Sequence, residues 1–407
     1  MVSASLPPAL LVQRLPGRRT VTVGVWLAHG AAHDPERLAG ATHLVEHLML
    51  RRCGARARRE LARLVDRLGG GVDAWTGAES MGVTVETTVD AIDEACDLVQ
   101  DAVLDPTFDE GDVDLERRVA GAELDLARSD PEDRVEELLL QAAWGSHPLA
   151  RPIIGDRLSL GRLTPEVLHR HHGTLVGPGR VLVSVVGDVR GEEMVVRFDR
   201  LPLHRPLERP PLPPLSWAAG TAWESARGDQ VHARLAFPVR GSGDPDLPTL
   251  AVLNRLLGVG ASSRLFQRLR EDEGLTYDVF SSLLLRRQGG LLEVGWACGR
   301  DAYTAARRLV LEELERLPRD LSTDEVEVAV EALSRGLMMD LEDPAARADL
   351  EANEVFERGR RLEPARALAK LARVSAEDAR RLAREVLATP RMASAVCGPE
   401  GLAELVA

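Results

Sequence analysis

Residues 201–215 read LPLHRPLERPPLPPL, a proline-rich stretch that divides the 407-residue chain almost in half. Each proline lacks a backbone N–H donor and has a fixed φ, so closely spaced prolines favour an extended, semi-rigid backbone. Neither a helix nor a central strand tolerates such a run. We therefore predict a linker over residues 201–219. It separates an N-terminal domain, residues 1–200, from a C-terminal domain, residues 220–407.

The two halves on either side of this linker repeat the same order of predicted elements. The first half begins with a β-rich run at residues 21–28, followed by a helical pattern at about 37–52. The second half has a β-rich run at 231–239 and a helix at 247–257. The repeat predicts an α+β fold with two structurally similar halves, each a β-sheet layered with α-helices.

Composition restricts the class of partner and the compartment. The formal net charge is -13, and no basic stripe is interleaved with aromatic residues, which excludes nucleic acid as a partner. The four scattered cysteines form no CxxC pair, so neither a disulfide framework nor a thiolate zinc site is indicated. The sequence lacks a run of eighteen apolar residues and an N-terminal signal pattern. We predict a cytoplasmic protein that does not associate with a membrane.

A candidate metal site lies in the first predicted helix, which contains His43-Leu44-Val45-Glu46-His47. A separation of four residues places both imidazoles on one helical face, with Glu46 beside them. A catalytic zinc ion takes three protein ligands and leaves a position for water, while a nearby carboxylate accepts a proton from that water. The motif therefore supplies two ligands and one base, and a third ligand must come from elsewhere.

A second helix, predicted at residues 109–128, offers carboxylates for the third position. Glu116 and Glu123 stand seven residues apart, so they share one face over two turns. The helix also carries several other aspartates and arginines, and by spacing alone a solvated charged face explains the two glutamates at least as well. The spacing leaves both interpretations open.

Several segments carry a resemblance to a known family. HLVEH at residues 43–47 has the inverted order H-x-x-E-H, and Glu123 follows 76 positions beyond His47. GGGVDAWTGAES at 69–80 and GVGASSRLFQRLREDEGLTYDVFSS at 258–282 extend the match into both halves. The chain resembles the pitrilysin or insulinase family of zinc peptidases, which includes mitochondrial processing peptidase and small bacterial processing peptidases.

The resemblance implies a role for each residue that matches the family's motif. It implies that His43, His47 and Glu123 bind Zn2+ and that Glu46 is the general base. It also implies that Glu116 is a further carboxylate, which orients a ligand or a substrate group.

The resemblance further implies contacts with a peptide substrate. Family members carry an Arg and a Tyr seven residues apart that contact the substrate near the scissile bond, and these are Arg270 and Tyr277 here. The substrate of family members joins an edge strand through backbone hydrogen bonds. That strand is predicted at residues 72–76 and includes Asp73 and Ala74.

Two departures from the family pattern stand close to these residues. Asp73 stands where the family usually has Asn, and an aspartate accepts a hydrogen bond but cannot donate one as an amide does. We therefore expect the Asp73 side chain to alter substrate preference or the pH dependence of activity. Arg51-Arg52-Cys53 replaces the usual Lys-Gly-Thr after the motif. Neither departure removes a metal ligand.

The family pattern predicts a zinc-dependent endopeptidase that cleaves short or unfolded peptides of the processing or leader-peptide type. In the family, the zinc half of one chain faces the Arg/Tyr half of a partner chain. We therefore predict a homodimer, or a heterodimer with a paralogue. The alternative is a non-catalytic scaffold, or a partner subunit of a heterodimeric peptidase.

Four histidines outside the motif are not assigned a role in metal binding. His29 and His33 stand in the loop before the motif helix, and we predict that both are exposed to solvent. His171 and His172 close a predicted helix, where an imidazole interacts favourably with the C-terminal end.

Overall fold

A computed structural model describes residues 7–401, except for the side chain of Thr389. These residues form two compact units, each built around its own β-sheet. Both units mix strands with helices, which confirms the predicted α+β class with two similar halves.

The sheet of the first unit has the spatial order β1-β5-β2-β4-β3. Neighbours β1 and β5 are parallel, and every other neighbouring pair is antiparallel. Strand β3 therefore lies at one edge. The strands are β1 Leu10–Arg14, β2 Thr20–Leu27, β3 Gly71–Thr76, β4 Met81–Thr88 and β5 Val181–Gly187.

The sheet of the second unit repeats this arrangement in the order β6-β10-β7-β9-β8. Its parallel pair, β6 with β10, occupies the same place as β1 with β5, and the remaining pairs are antiparallel. The strands are β6 Thr221–Ser225, β7 Gln230–Val239, β8 Asp278–Leu285, β9 Gly290–Gly299 and β10 Ala393–Gly398.

Helices cover both sheets, and a π-helical segment occupies Phe266–Asp272. None of the helices in residues 7–401 is long and apolar enough to cross a membrane. The α-helices are α1 Ala41–Met49, α2 Arg58–Arg67, α3 Ile92–Leu104, α4 Glu110–Ser129, α5 Pro131–Trp144, α6 Arg157–Leu160, α7 Pro165–Leu175, α8 Gly191–Arg197, α9 Leu247–Gly258, α10 Tyr303–Asp320, α11 Thr323–Glu342, α12 Pro344–Arg358, α13 Pro364–Leu371 and α14 Ala376–Val386.

Each unit contains a helix that is encoded in the other half of the sequence, and we call this the exchange of helices. Helix α12, from the second half of the sequence, packs on β2 and β5 of the first unit, and α5, from the first half, packs on β7 and β10 of the second. The sequence predicts two consecutive domains, residues 1–200 and 220–407, and does not predict this exchange. The first unit consists of residues 7–124, 152–212 and 340–362, and the second of residues 125–151, 213–339 and 363–401.

Both exchanged helices begin at an Asp-Pro step. The side chain of Asp130 accepts a hydrogen bond from the backbone N–H of Glu132, and that of Asp343 accepts one from Ala346. In each case proline occupies the first helical position, where its missing N–H costs nothing. The aspartate ends the preceding helix and caps the next, so the chain turns at a defined residue.

The apolar face of α12 is part of the core of the first unit. Ala348, Ala352 and Phe356 recur every four residues, so they lie on one helical face, and all three are buried in the cluster that contains β2 and β5. Alanine at two of these positions allows the helix backbone to approach the sheet closely. The stability of the first unit therefore depends on a helix encoded in the second half.

We predict that Phe356→Ala destabilises the first unit although the residue lies late in the sequence. The loss of a buried aromatic ring lowers the free energy of unfolding of this unit by about 3 to 5 kcal/mol. Hydrogen exchange should show reduced protection of amides in β2 and β5. The control is Phe237→Ala, a buried residue of β7, which should reduce protection in β7 and β9. Unchanged protection in β2 and β5 of Phe356→Ala would contradict the exchange of helices.

Candidate metal centre

The start of α1 is fixed by two contacts. Gly40 precedes the helix with φ 88° and ψ 0°, and a Cβ there would lie 2.2 Å from the carbonyl oxygen of Ile154. The carboxylate of Asp34 then binds the first turn through two hydrogen bonds. Oδ2 accepts one from the backbone N–H of Thr42 at 3.2 Å, and Oδ1 accepts one from the Thr42 hydroxyl at 2.5 Å. These contacts determine where the following motif residues point.

Helices α1 and α4 bring three potential metal ligands together. Oε2 of Glu123 lies 3.6 Å from Nε2 of His47 and 3.9 Å from Nε2 of His43. All three ligand atoms lie within 4.8 Å of one another. Ligand atoms about 2.1 Å from a tetrahedral zinc ion are about 3.4 Å apart, so the donor set and its spacing fit Zn2+. The Glu123 side chain is 41% exposed, whereas both imidazoles are largely buried.

The protonation state of His43 suits metal binding. Burial, with a contribution from neighbouring His47, lowers the pKa of His43 to about 4. The imidazole is therefore neutral at neutral pH, which is the form that coordinates a metal.

Glu46 lies beside the three potential ligands but does not belong to the cluster that His43, His47 and Glu123 form. It accepts a hydrogen bond at Oε2 from the hydroxyl of Thr76 on β3, at 3.0 Å. Burial raises the pKa of Glu46, against the opposing effects of His47 and the Thr76 hydrogen bond. A carboxylate with a raised pKa accepts a proton more readily than an exposed one.

Glu116 links His47, one of the three potential ligands, to Arg51, a residue that departs from the family pattern. Its Oε2 lies 3.1 Å from Nδ1 of His47, which leaves Nε2 of that ring for a metal. Its Oε1 accepts a hydrogen bond at 2.6 Å from Arg51, whose Nε donates to Asp112 at 2.7 Å. The guanidinium of Arg51 therefore ties the end of α1 to α4.

The residues predicted to contact substrate lie in two places. Asp73 and Ala74 are on β3, the edge strand of the first sheet, and Asp73 is exposed. Arg270 and Tyr277 belong to the second unit. Nη1 of Arg270 donates to the backbone carbonyl of Tyr277 at 3.0 Å, and its guanidinium lies 4.5 Å from the centre of the tyrosine ring. Tyr277 is 83% exposed.

The predicted exposure of two loop histidines is wrong. His29 is only 8% exposed and His33 is half-buried. The loop that carries them is packed against other residues of the first unit, and loop sequence alone gives no signal for such burial.

The prediction for the paired histidines of α7 is also corrected. His171 and His172 are both buried, and His172 bonds through Nε2 to the carbonyl oxygen of Val103 at 2.7 Å. Burial lowers the pKa of His172, so a neutral ring contributes no charge at the end of the helix.

Comparison with protein families and sequences gives consistent matches. Residues 10–157 match the family described as Insulinase (Peptidase family M16), and residues 162–333 match the Peptidase M16 inactive domain. A protein of Mycobacterium bovis named "uncharacterized zinc protease" is 31% identical over 98% of this chain and 93% of its own. The uncharacterized zinc protease YmxG of Bacillus subtilis is 28% identical over 82% of each chain.

Solved structures have the same fold at low sequence identity. A protease from Helicobacter pylori matches with a TM-score of 0.88 and 18% identity, over 97% of this chain and 98% of its own. A chain of Complex III2 from Candida albicans, with Inz-5 bound, matches with a TM-score of 0.81 and 16% identity, over 96% of this chain and 93% of its own.

We predict that Arg51→Met weakens zinc binding by about 10- to 100-fold, because Glu116 loses the donor that orients it toward His47. Arg51→Lys should restore only part of the affinity, because one ammonium cannot donate in the fork geometry that contacts both Asp112 and Glu116. The apparent zinc dissociation constant, from competition with a chelator, is the measurement.

The matched control for this prediction is Arg52→Met. Arg52 bonds to Asp112 and Asp109 but not to Glu116, so its loss should leave zinc affinity near that of wild type. Equal weakening by both substitutions would show that general destabilisation, rather than the orientation of His47, explains the effect.

Proposed function

Because the chain belongs to the insulinase family of peptidases, M16, we propose that it is a zinc-dependent endopeptidase. The observation that carries this proposal is the convergence of His43, His47 and Glu123 from two helices, with Glu46 beside them. Two imidazoles, one carboxylate ligand and one further carboxylate are the groups that zinc-assisted hydrolysis of an amide requires.

Each residue of the centre has a separate task in this mechanism. His43, His47 and Glu123 would hold the zinc ion, which when bound supplies Lewis-acid activation of water and of the scissile carbonyl. Glu46 accepts the proton of the attacking water and delivers it to the leaving amine. The hydrogen bond from Thr76 holds the Glu46 carboxylate in one orientation for both transfers.

The edge position of β3 supports an extended peptide as the substrate. Among the described strands, β3 pairs only with β4, so the N–H and C=O groups on its other side are available to a further strand. Short or unfolded peptides can adopt this extended form, and folded proteins cannot without local unfolding. We propose peptides of the processing or leader type, with Asp73 and Ala74 contacting them.

A dimer supplies the substrate contacts of the second unit in this proposal. The Arg270–Tyr277 pair presents a largely exposed phenol held by a cation–π contact, which suits the binding of a peptide carbonyl. We propose that Arg270 and Tyr277 of one chain act on substrate at the zinc centre of a partner chain. The partner is a second copy or a paralogue.

The alternative is a non-catalytic subunit of a larger assembly. The fold similarity to a chain of Complex III2 is the observation that favours it. A scaffold has no use for a base beside three metal ligands, whereas this chain has all four residues, His43, His47, Glu123 and Glu46. The complete set favours catalysis.

We predict that Glu46→Gln strongly slows cleavage while the zinc content stays at the wild-type value. The loss of proton transfer should lower kcat by about 100- to 10,000-fold. The measurements are cleavage of a panel of quenched fluorescent peptides, with and without a chelator, and zinc content by elemental analysis. Glu94→Gln, which changes an exposed carboxylate of α3, is the control and should cleave normally. A wild-type chain that holds zinc but cleaves no peptide of the panel would indicate a missing partner subunit or a narrower substrate, and a wild-type chain without zinc would contradict the mechanism.

We predict that two inactive variants restore activity when they are mixed. Glu46→Gln lacks the base but keeps Arg270 and Tyr277, and a double variant, Arg270→Met with Tyr277→Phe, keeps the base. In randomly mixed homodimers with sites built from both chains, half of the dimers have one intact site, so activity should reach about a quarter of the wild-type value.

The control for this mixing experiment is each variant mixed with itself, which should stay inactive. If substrate contacts come from the same chain as the base, the mixture will also stay inactive, and the proposed pairing of chains is then wrong. A mixture that does not exchange subunits is recognised by size analysis of differently tagged chains.

A further inference from the structure

A second cluster of potential metal ligands lies next to the first turn of α1. It consists of His29, which follows β2, Asp34 in the loop before α1, and His171 on α7. All three residues belong to the first unit and all are buried. Their ligand atoms lie within 4.8 Å of one another, as those of the centre at α1 and α4 do.

The distances in this cluster match those of the proposed catalytic set. Oδ1 of Asp34 lies 3.2 Å from Nε2 of His171 and 4.0 Å from Nε2 of His29. The corresponding distances to the Glu123 carboxylate are 3.6 and 3.9 Å. In both sets the carboxylate oxygen lies 3.2 to 4.0 Å from the imidazole nitrogens, close to the separation of about 3.4 Å between ligand atoms of a tetrahedral ion.

One atom of the cluster is buried without a hydrogen bond. Among the described residues, Nε2 of His29 has no hydrogen-bond partner, although polar atoms in protein interiors are nearly always paired. With a proton on Nε2, the distance of 4.0 Å to Asp34 is too long for a hydrogen bond. Without a proton, its lone pair faces a carboxylate oxygen. A cation between the two would give Nε2 of His29 a partner and would bind Oδ1 of Asp34, which also accepts the hydroxyl of Thr42.

The charges and donor types favour a transition metal. Burial lowers the pKa of His29 to about 3, so this imidazole is neutral with a lone pair available to a metal. Asp34 contributes one negative charge. Thr42 donates to both of its oxygens, through its backbone N–H to Oδ2 and through its hydroxyl to Oδ1, and the same hydroxyl lies 2.9 Å from Nε2 of His171. Two imidazoles and one carboxylate suit Zn2+, whereas Mg2+ and Ca2+ prefer sets made of oxygen.

We propose that His29, Asp34 and His171 form a second, buried Zn2+ site with a structural role. Asp34 also binds the first turn of α1 through Thr42, so an ion here connects the loop after β2, the start of α1 and α7. The bound ion fixes the residue immediately before His43. Because the ligands are buried, the chain must open locally for this ion to leave, so it exchanges slowly.

The test counts zinc in variants that empty one set at a time. After dialysis, wild type should hold about two zinc ions per chain, the double variant His43→Ala/His47→Ala about one, and His171→Asn about one. The zinc retained by His43→Ala/His47→Ala should resist a chelator longer than the zinc retained by His171→Asn. Circular dichroism confirms that each variant is folded.

The matched control is His169→Asn, the same substitution on an exposed residue of the same helix, which should hold as much zinc as wild type. A folded His43→Ala/His47→Ala chain without zinc overturns the proposal, and this result does not depend on whether His171→Asn folds. One zinc ion in wild type that is lost in His171→Asn but kept in His43→Ala/His47→Ala would support the buried site and overturn the proposed peptidase mechanism.

Discussion

The anchoring of α1 at both ends is the interaction on which the centre depends. Helix α1 has nine residues, too few to be stable in isolation, so tertiary contacts must hold it. Asp34 binds its first turn, and Arg51, just beyond its last turn, bonds to Asp112 and Glu116 of α4. These charged contacts set the orientation of the helix against α4 and thereby the spacing of the ligand atoms. They are buried or half-buried, so solvent screens them little.

The second unit has the same architecture but lacks the carboxylates at the corresponding helix positions. Helices α4 and α11 each have 20 residues and each precedes an Asp-Pro step and an exchanged helix. The positions in α11 that correspond to Glu116 and Glu123, the seventh and fourteenth residues, are Ala329 and Gly336. The sheet topology and the exchange are therefore independent of metal ligands. They depend on apolar packing and helix caps, which both halves share.

Local sequence patterns predicted the features that local physics determines. The spacing in HLVEH placed both imidazoles on one face, and β-rich runs marked the central strands. The five-residue strands β1 and β6 give no such signal, because so short a segment shows little alternation. The exchange of α5 and α12 was missed because nothing in a helix's periodicity identifies the sheet on which it packs. Spacing alone does not show whether Glu123 is a metal ligand or part of a solvated charged face. Only the family resemblance favours the ligand.

Exposure, rather than ligand type, separates the roles of the two histidine–carboxylate sets. Both combine two imidazoles with one carboxylate at similar distances. The Glu123 side chain is 41% exposed, so water, and the peptide substrate proposed for β3, can reach that centre. The Asp34 side chain is fully buried, which excludes a substrate. Zinc chemistry needs an open coordination position to act on a substrate. An ion at Asp34 can therefore only fix the helix that carries the open centre.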